Sequence, residues 1–291
     1  MTVVCLWMRD DLTDGEDRGA DGLHLCVASD SRITSGEKVS TDQAPKILPL
    51  HVVCWHRRPD GTPPTSYFFH TFGYAFAGHV NICYAVYSRL SAMLYQLHAT
   101  TQALPSLDGI AEIALKFMKA YFEDYLKVDN DPGQTSIILF GYDRGTERKH
   151  VFELQCWFDQ PYGPASVKTV KSKRIEHLFD VPKKIVVIGS GKDSFLNKLK
   201  SATNDSNNEN DYYGIVPSHI MDNELNPFGS DDPAVGGELQ VGYCGNGPFR
   251  VCSVASSDPK KAFAYLGLSN ITHGRINALQ VAMEAMVVRL Y

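Results

Sequence analysis

The first third of the chain follows the hydrophobic pattern of β-strands. Short stretches rich in apolar and β-branched residues alternate with clusters of glycine, proline and charged residues, which is typical of strands joined by turns. The segment near residues 9–22 carries six acidic residues and three glycines, and it predicts a long exposed turn. We predict strands over Thr2–Met8, Leu23–Ser29, Lys46–Leu50, Val52–His56 and Tyr67–Phe76.

The spacing of apolar residues then changes to three and four, which is the period of helices. This pattern predicts a helix over Val80–His98 and a second one, capped by Ser106 or Asp108, that ends near Lys127. Further along, the pattern predicts hairpins over residues 135–158 and 238–254, a buried strand over 184–188, a helix near 193–202, an exposed loop over 204–211 and a helical end from about residue 270.

The order of these elements predicts an α+β fold. Two adjacent helices after a run of strands favour sheets covered by a helical layer over strict βαβ alternation. No linker is strong enough to divide the chain, so we expect one domain over residues 1–291, with insertions near 9–22 and 203–231.

Composition excludes several classes of function. The net charge is −5 and no lysine- or arginine-rich segment occurs, so no nucleic-acid partner is expected. No apolar run approaches ~20 residues, so no membrane partner is expected. The seven cysteines form no C-x-x-C pair and lie mostly in apolar runs, as reduced buried thiols do. Together with the lack of a signal-peptide pattern, they predict a cytoplasmic protein.

The candidate chemistry begins at the second residue. Loss of Met1 would leave Thr2 with a free α-amino group beside its hydroxyl, and that amine can act as the hydroxyl's base. Asp30 follows a predicted strand, and Lys46 comes sixteen residues later. A lysine near a nucleophilic hydroxyl favours its ionised form, and a carboxylate can hold that lysine in place.

Glycines mark three further candidate segments. Phe76-Ala77-Gly78 ends a strand, where a glycine lets backbone N–H approach a ligand as an oxyanion hole requires. Gly189-Ser190-Gly191 follows another strand, and Asp232 precedes a third glycine-containing segment.

In this order and spacing, these fragments resemble a proteasome β subunit or a bacterial proteasome-like N-terminal-nucleophile (Ntn) hydrolase. The similarity covers most of the chain, and the string Asp30-Ser31-Arg32 with Thr34 and Gly36 is its most specific part. The resemblance implies a four-layer αββα sandwich and a threonine peptidase that cleaves polypeptides inside a homo-oligomeric ring, without a cofactor. It leaves any unfoldase partner open.

The resemblance also implies roles for single residues. Thr2 resembles the nucleophile, with Lys46 and Asp30 as the charged pair beneath it. The roles implied for the remaining candidates are an oxyanion-facing N–H for Gly78, a hydroxyl near the Thr2 amine for Ser190, and an acid in the same network for Asp232. The chain departs from the family pattern at His79, where a second glycine is frequent, and at Val235, where a serine is usual.

Other classes of site fit the sequence poorly. Lys192 follows Gly189-Ser190-Gly191, but a Walker A loop would need a glycine at Val186 and Ser or Thr at Asp193. A Rossmann fingerprint would need a glycine at Ser194. No His or Cys residues have metal-ligand spacing, and a cysteine nucleophile at Cys5 would require the loss of four residues. The remaining alternative is a catalytically silent scaffold or ring subunit with the same fold.

Overall fold

A computed structural model describes most of the first 255 residues and short segments after them. The described residues are 2–9, 23–35, 38–56, 64–99, 102–128, 131–159, 168–177, 185–205, 235–255, 263–265, 268–269, 274–276, 279–281 and 287–288. Within them, no helix is long and apolar enough to cross a bilayer.

The described chain is a mixed fold with many strands and few helices, as the sequence predicts. The helices are α1 (Val80–Leu94), α2 (Leu107–Lys127) and α3 (Lys192–Asp205). The strands are β1 (Val4–Arg9), β2 (His24–Ser29), β3 (Ile33–Ser35), β4 (Lys38–Thr41), β5 (Ile47–His56), β6 (Thr65–Ala77), β7 (Leu97–Ala99), β8 (Thr135–Asp143), β9 (Arg148–Asp159), β10 (Thr169–His177), β11 (Ile185–Ile188), β12 (Gln240–Cys244), β13 (Arg250–Ala255), β14 (Phe263–Tyr265), β15 (Leu268–Ser269), β16 (Gly274–Ile276), β17 (Leu279–Val281) and β18 (Val287–Val288).

Two large sheets form the centre of the described structure. The first has the order β11-β1-β2-β12-β13-β14-β15, with β18 beside β13, and we call it sheet A. The second, sheet B, has the order β10-β9-β8-β6-β5-β7. The pairings are antiparallel except where β7 meets β5 and where β18 meets β13. Strand β1, which follows Thr2, therefore lies between two partners, β11 and β2.

The residues of β1 explain why its sequence shows no alternation. Val3, Cys5 and Trp7 pack with Phe195 and Leu199 of α3. Val4, Leu6 and Met8 face the other way and pack with residues of sheet B, among them Ala75, Ile138 and Phe140. Because both faces of β1 are buried, apolar residues occupy every position of the strand.

Helices α1 and α2 cover the outer face of sheet B. Their buried residues, such as Val86, Leu90 and Met118, share one cluster with Phe76 and Leu139 of the sheet. Ser106 is the N-cap of α2, and its side chain accepts a hydrogen bond from the N–H of Gly109 at 3.1 Å. Of the two caps that the sequence allowed, the structure therefore uses Ser106.

Most predicted elements are confirmed, with shifted ends. The hairpins formed by β8 with β9 and by β12 with β13 lie where the sequence places them. The two strands predicted over residues 46–56 are one strand, β5, which bends at a register shift between Cys54 and Trp55. The helix predicted over Val80–His98 ends earlier, because residues 97–99 form β7 beside β5.

Other predictions were wrong or fall outside the described residues. The helical end predicted from about residue 270 was wrong where the structure describes it, since residues 274–276, 279–281 and 287–288 are strands. Strands β3, β4, β10, β14 and β15 have no counterpart in the prediction. The loop predicted over 204–211 begins inside α3, which extends to Asp205. The insertion near 9–22 lies outside the described residues from residue 10 on, and that near 203–231 from residue 206 on.

Candidate active site

Thr2 lies two residues before β1, with 8 % of its surface exposed. Side chains alternate along a strand, so its side chain faces sheet B like those of Val4 and Leu6. Its carbonyl oxygen accepts a hydrogen bond from the N–H of Gly191 at 3.4 Å. The residue is thus held where the ends of the two sheets meet.

The hydroxyl of Thr2 contacts a buried lysine. The ammonium Nζ of Lys46 lies 2.9 Å from Oγ1 of Thr2 and 2.8 Å from Oδ2 of Asp30. It also donates to the carbonyl oxygen of Arg32. The side chains of Lys46 and Asp30 have no exposed surface. The structure thus brings together Thr2, Lys46 and Asp30, which the sequence singles out from distant positions.

The carboxylate of Asp30 is held by backbone as well as by Lys46. Its Oδ1 accepts from the N–H of Val3 at 3.0 Å, and its Oδ2 accepts from the N–H of Arg32 at 3.2 Å. Val3 belongs to the segment that leads into β1, and Arg32 belongs to the segment between β2 and β3. The carboxylate therefore links both segments to Lys46.

Burial dominates the electrostatics of this pair. It lowers the pKa of Lys46, and the neighbouring Asp30 carboxylate opposes that lowering. Burial also raises the pKa of Asp30, against the charge and hydrogen bond of Lys46 and the N–H of Val3. The two charged forms therefore depend on each other, since neither would be stable alone at this depth.

The Asp30-Ser31-Arg32 string has a structural role beyond Asp30. The hydroxyl of Ser31 donates to the carbonyl oxygen of Asp42 at 2.6 Å and accepts from the N–H of Glu238 at the same distance. The guanidinium of Arg32 contacts both carboxylate oxygens of Asp42, at 2.6 and 3.3 Å. These contacts fix the loop whose carbonyl receives the Lys46 ammonium.

Gln240 supports the same loop and was missed by sequence reasoning. Its Oε1 accepts from the N–H groups of Lys46 and Ile47, at 2.9 and 3.2 Å. Its Nε2 donates to the carbonyl oxygens of Ala44 and Asp30, at 2.8 and 3.2 Å. A glutamine inside the apolar run of β12 is the signal that could have indicated this role.

Two glycines of the candidate segments have backbone positions that leave no room for a Cβ. Gly78 has φ 108°, and a Cβ there would lie 2.6 Å from the carbonyl oxygen of Gln134. Gly189 has φ 103°, and a Cβ there would lie 1.8 Å from the carbonyl oxygen of Thr2. Both positions therefore need glycine, for conformation and for space.

A cavity of about 520 Å³ opens beside Thr2. Gly78, Gly189 and Ser190 line it together with Thr2, so two of the other predicted segments meet the nucleophile candidate there. On the far side, its lining comes from the first residues of β8, from the middle of β9 and from Lys192: Gln134, Ser136, Glu153, Gln155 and Lys192.

The remaining candidates either lie away from Thr2 or fall outside the described residues. Asp232 lies outside the described residues, so its predicted place beside the Thr2 amine stays a prediction. Val235 is buried in the cluster that α3 covers. His79 caps α1, with Nδ1 3.5 Å from the N–H of Ile82, and its ring meets the edge of Tyr125. His79 is not among the residues that line the cavity.

The alternative sites have little support in the described residues. No group of three or more His, Cys, Asp or Glu side chains there could hold a metal ion. All seven cysteines are buried and free, and burial raises the pKa of Cys5 far above its ordinary range, so its thiol is a poor nucleophile.

Comparison with known proteins finds similarity among solved structures. No protein-family model matches the chain, and no curated protein does. Anbu (ancestral beta-subunit) from Yersinia bercovieri is 18 % identical, with 84 % of this chain and 82 % of that chain covered and a TM-score of 0.44. The Anbu (Gly-1) mutant from Hyphomicrobium sp. strain MC1 is 17 % identical, with 86 % and 85 % covered and a TM-score of 0.46. The helical assembly of the Anbu complex from Pseudomonas aeruginosa is 14 % identical, with 88 % of each chain covered and a TM-score of 0.47.

These comparisons correct the family that the sequence suggested. The solved structures are Anbu proteins, which are proteasome-like but form a distinct family. The identification with proteasome β subunits and bacterial proteasome-like Ntn hydrolases was therefore wrong. Asp30, Ser31 and Arg32 of the motif string lie between β2 and β3, and their contacts with Lys46, Asp42 and Gln240 account for these three residues without reference to one family.

Proposed function

We propose that the chain is a hydrolase that cleaves amide bonds of polypeptides with Thr2 as an N-terminal nucleophile. The observation that carries the proposal is the buried contact of Thr2 Oγ1 with the Lys46 ammonium, itself paired with Asp30. A buried lysine is costly, and it is retained where its charge stabilises something. Here the group in contact is a hydroxyl, whose ionised form the ammonium favours.

The proposed reaction requires the removal of Met1, which frees the Thr2 amine. Oγ1 attacks the substrate carbonyl carbon, and its proton passes to that amine. The C–N bond of the substrate then breaks, and the amine returns the proton to the leaving nitrogen. The acyl group remains as an ester on Oγ1 until water, deprotonated by the amine, hydrolyses it.

We assign the other predicted residues to this reaction by their position around Thr2. Gly78 is proposed to present backbone N–H to the oxyanion, supported by its positive φ and its place in the cavity lining. Ser190 is proposed to orient the Thr2 amine, supported by its place in the same lining. Asp232 is proposed to complete that network.

We further propose a four-layer αββα arrangement within one domain over residues 1–291. Three hydrophobic clusters support it. In the first α1 and α2 pack on sheet B, in the second the two sheets pack on each other, and in the third α3 packs on sheet A. Copies of the chain are proposed to form a homo-oligomeric ring, because enclosure would protect other proteins from an N-terminal nucleophile.

The test is intact-mass analysis followed by hydrolysis of fluorogenic peptides. We expect the purified protein to lack Met1 and to cleave a peptidyl-aminocoumarin. Thr2→Ala should abolish cleavage with the fold intact, while Thr2→Ser, which keeps the hydroxyl, should retain part of it. Retained Met1 with no cleavage would refute the proposal and favour a silent scaffold. Equal cleavage by Thr2→Ala would show that Thr2 is not the nucleophile.

A further inference from the structure

We propose that the cavity beside Thr2 binds the leaving-group half of the substrate, and that Glu153 at its inner wall selects a positively charged side chain there. The inference rests on the proposed function and names a substrate class for it. It assigns to Glu153 a part in specificity, separate from the chemistry at Thr2.

Glu153 is a buried carboxylate that reaches the cavity. It lies in the middle of β9 on the face between the two sheets, where Val151 and Phe140 also pack. Only 7 % of its surface is exposed, yet it lines the cavity together with Thr2. A carboxylate so placed meets any side chain that enters.

The neighbours of Glu153 hold it in its charged form. Its Oε1 accepts from the amide of Gln155, and its Oε2 lies 2.9 Å from Nε2 of His177. Burial raises the pKa of Glu153, but the hydrogen bonds of His177 and Gln155 and the charges of His177 and Lys192 outweigh it, so the net pKa is lowered. A carboxylate has about four lone-pair sites, so it can accept a further donor from a ligand.

The other side chains of the cavity can bind a polar group of the substrate, and they oppose the negative charge of Glu153 only weakly. Gln134, Ser136 and Gln155 offer amide and hydroxyl groups. Lys192, the cation in the lining, is exposed, so solvent screens its charge more than it screens that of Glu153. The inner wall therefore attracts a cation, whereas the lysine sits at the rim.

The position of the cavity identifies the half of the substrate that it receives. In the proposed reaction the Thr2 amine protonates the leaving nitrogen, so the leaving half passes over the amine. The cavity extends from Thr2 past Gly189 and Ser190, and among the described residues neither Lys46 nor any residue of β3 or β4 is in its lining. This is the side on which the proposed function places the amine.

A second cavity continues the first and gives room for an extended chain. It measures about 390 Å³ and shares Gln134 and Gln155 with the first. Asp131, Gly133, Trp157 and Phe158 also line it. Each residue of an extended peptide spans roughly 3.3 Å, so two or more residues after the cleaved bond would lie along this groove. The second carboxylate, Asp131, again favours basic side chains.

The test compares peptides that differ only in the first residue of the leaving half. Internally quenched peptides with Lys, Leu or Glu at that position are hydrolysed by the full chain and by Glu153→Gln, with Glu123→Gln on the exposed face of α2 as the matched control. We expect wild type to prefer Lys over Glu by about tenfold or more in kcat/KM, the size of a hydrogen bond to a charged group. Glu153→Gln should reduce that ratio to within about twofold, and Glu123→Gln should keep it. Lys192→Gln, at an exposed site, should raise it.

Binding gives a second measurement that needs no turnover. Labelled peptides with Lys or Glu as the first residue are titrated into Thr2→Ala and into Thr2→Ala combined with Glu153→Gln. Selective binding of Lys that Glu153→Gln removes would support the subsite even if no peptide were cleaved, an outcome that would overturn the hydrolase alone. Equal binding and hydrolysis of Lys and Glu peptides, or a preference unchanged in Glu153→Gln, would overturn the subsite while leaving the hydrolase standing.

Discussion

At the scale of single residues, Lys46 connects the other residues of the site through its hydrogen bonds. Its ammonium has three N–H donors, and it contacts three oxygens, those of Thr2, Asp30 and Arg32. No part of its side chain is exposed, so none of its donors depends on bulk water. The ammonium is thus held in one orientation toward the Thr2 hydroxyl.

We expect Lys46→Ala to lower the hydrolysis rate by about 100-fold or more, because the charge that favours the ionised hydroxyl is lost. The fold should lose about 3–5 kcal/mol as well, since Asp30 is left as an unpaired buried charge. Rates are to be measured where denaturant unfolding shows the variant folded. Lys38→Ala, at an exposed lysine of β4, is the control and should change neither quantity. A folded Lys46→Ala enzyme of normal rate would exclude a role for the lysine.

Gln240 is the second residue for which the structure predicts the effect of a substitution. Its side chain serves two donors and two acceptors, and none of them has access to water. Gln240→Ala should destabilise the fold by at least about 2 kcal/mol, at about 1–3 kcal/mol for each buried group left without a partner. It should also lower activity, because the backbone of Lys46 is no longer held.

The control for this prediction is Gln43→Ala, which removes an exposed glutamine from the same loop. Urea unfolding and the rate of the folded fraction are measured for both variants. Equal stability of the two variants would show that water or backbone movement replaces the Gln240 amide.

The difference between Lys46 and Gln240 shows what sequence can reveal about this site. Thr2, Asp30 and Lys46 were found because their order and spacing form a pattern, although the family inferred from that pattern was wrong. Gln240 and Glu153 belong to no such pattern. Gln240 begins the otherwise apolar β12, whereas Glu153 lies in β9 among other polar residues such as Gln155, and only the pairing of each strand shows which loop or cavity the side chain reaches.

At the scale of elements, the turn between β11 and α3 sets the position of Thr2. Gly189 is in contact with the Thr2 carbonyl, and the next glycine donates its N–H to the same oxygen. The start of β1 is therefore held by this turn as well as by its two neighbouring strands.

Gly189→Ala should consequently displace Thr2, because the added Cβ would lie 1.8 Å from the Thr2 carbonyl oxygen. We expect a loss of activity of at least about tenfold and a stability loss beyond the ~1 kcal/mol that a left-handed alanine costs. Gly133→Ala is the matched control for stability, with φ 66° and no atom within 4 Å of its Cβ. Gly133 lines the second cavity, so only the unfolding curves of the two variants are compared, and peptidyl-aminocoumarin hydrolysis is compared between Gly189→Ala and wild type. Equal stability losses in the two variants would mean that backbone strain, not contact with Thr2, is responsible.

Elements differ in how well their sequence predicts them. The central strands and helices were predicted because one or both faces are buried over several turns or pleats. Strand β7 has only three residues, and its pairing with β5 outweighs a helical pattern that continues to His98. Strand β10 lies at an edge and alternates lysine and arginine with half-buried residues, so it lacks an apolar stripe. Such elements are determined by their partners.

At the scale of the whole molecule, the two sheets explain how one site collects residues from across the chain. Thr2 comes from sheet A, Lys46 precedes the first long strand of sheet B, and Glu153 comes from its middle strands. The layer between the sheets contains many of the largest buried side chains, and the site lies at its edge. Access to the site therefore depends on whether another copy of the chain covers that edge of the layer.

The sequence of α1 and its cap places Tyr84, Tyr87, Met93 and Tyr95 beside the core-facing residues, a wide apolar band that suggests a contact surface for another copy. In the structure, only one of these four residues is left largely uncovered. Tyr84 and Tyr87 donate their hydroxyls to the carbonyl oxygens of Pro45 and Pro49, and Met93 packs against the core of the same chain. Tyr95, at the C-terminal cap of α1, is 55 % exposed. It is the residue of that band that remains available to another copy.

We therefore expect wild-type protein at micromolar concentration to elute as a multiple of the 32.3 kDa chain, measured by light scattering with size-exclusion chromatography. Tyr95→Lys should shift it toward the monomer, because a charge would have to be buried at the contact. Val128→Lys, at the C-terminal cap of α2 where 72 % of the residue is exposed, is the control and should leave the mass unchanged. A wild-type monomer at every concentration and salt would refute the ring, and the nucleophile would then be open to bulk solvent. An oligomer insensitive to Tyr95→Lys would keep the ring and place its contacts away from α1.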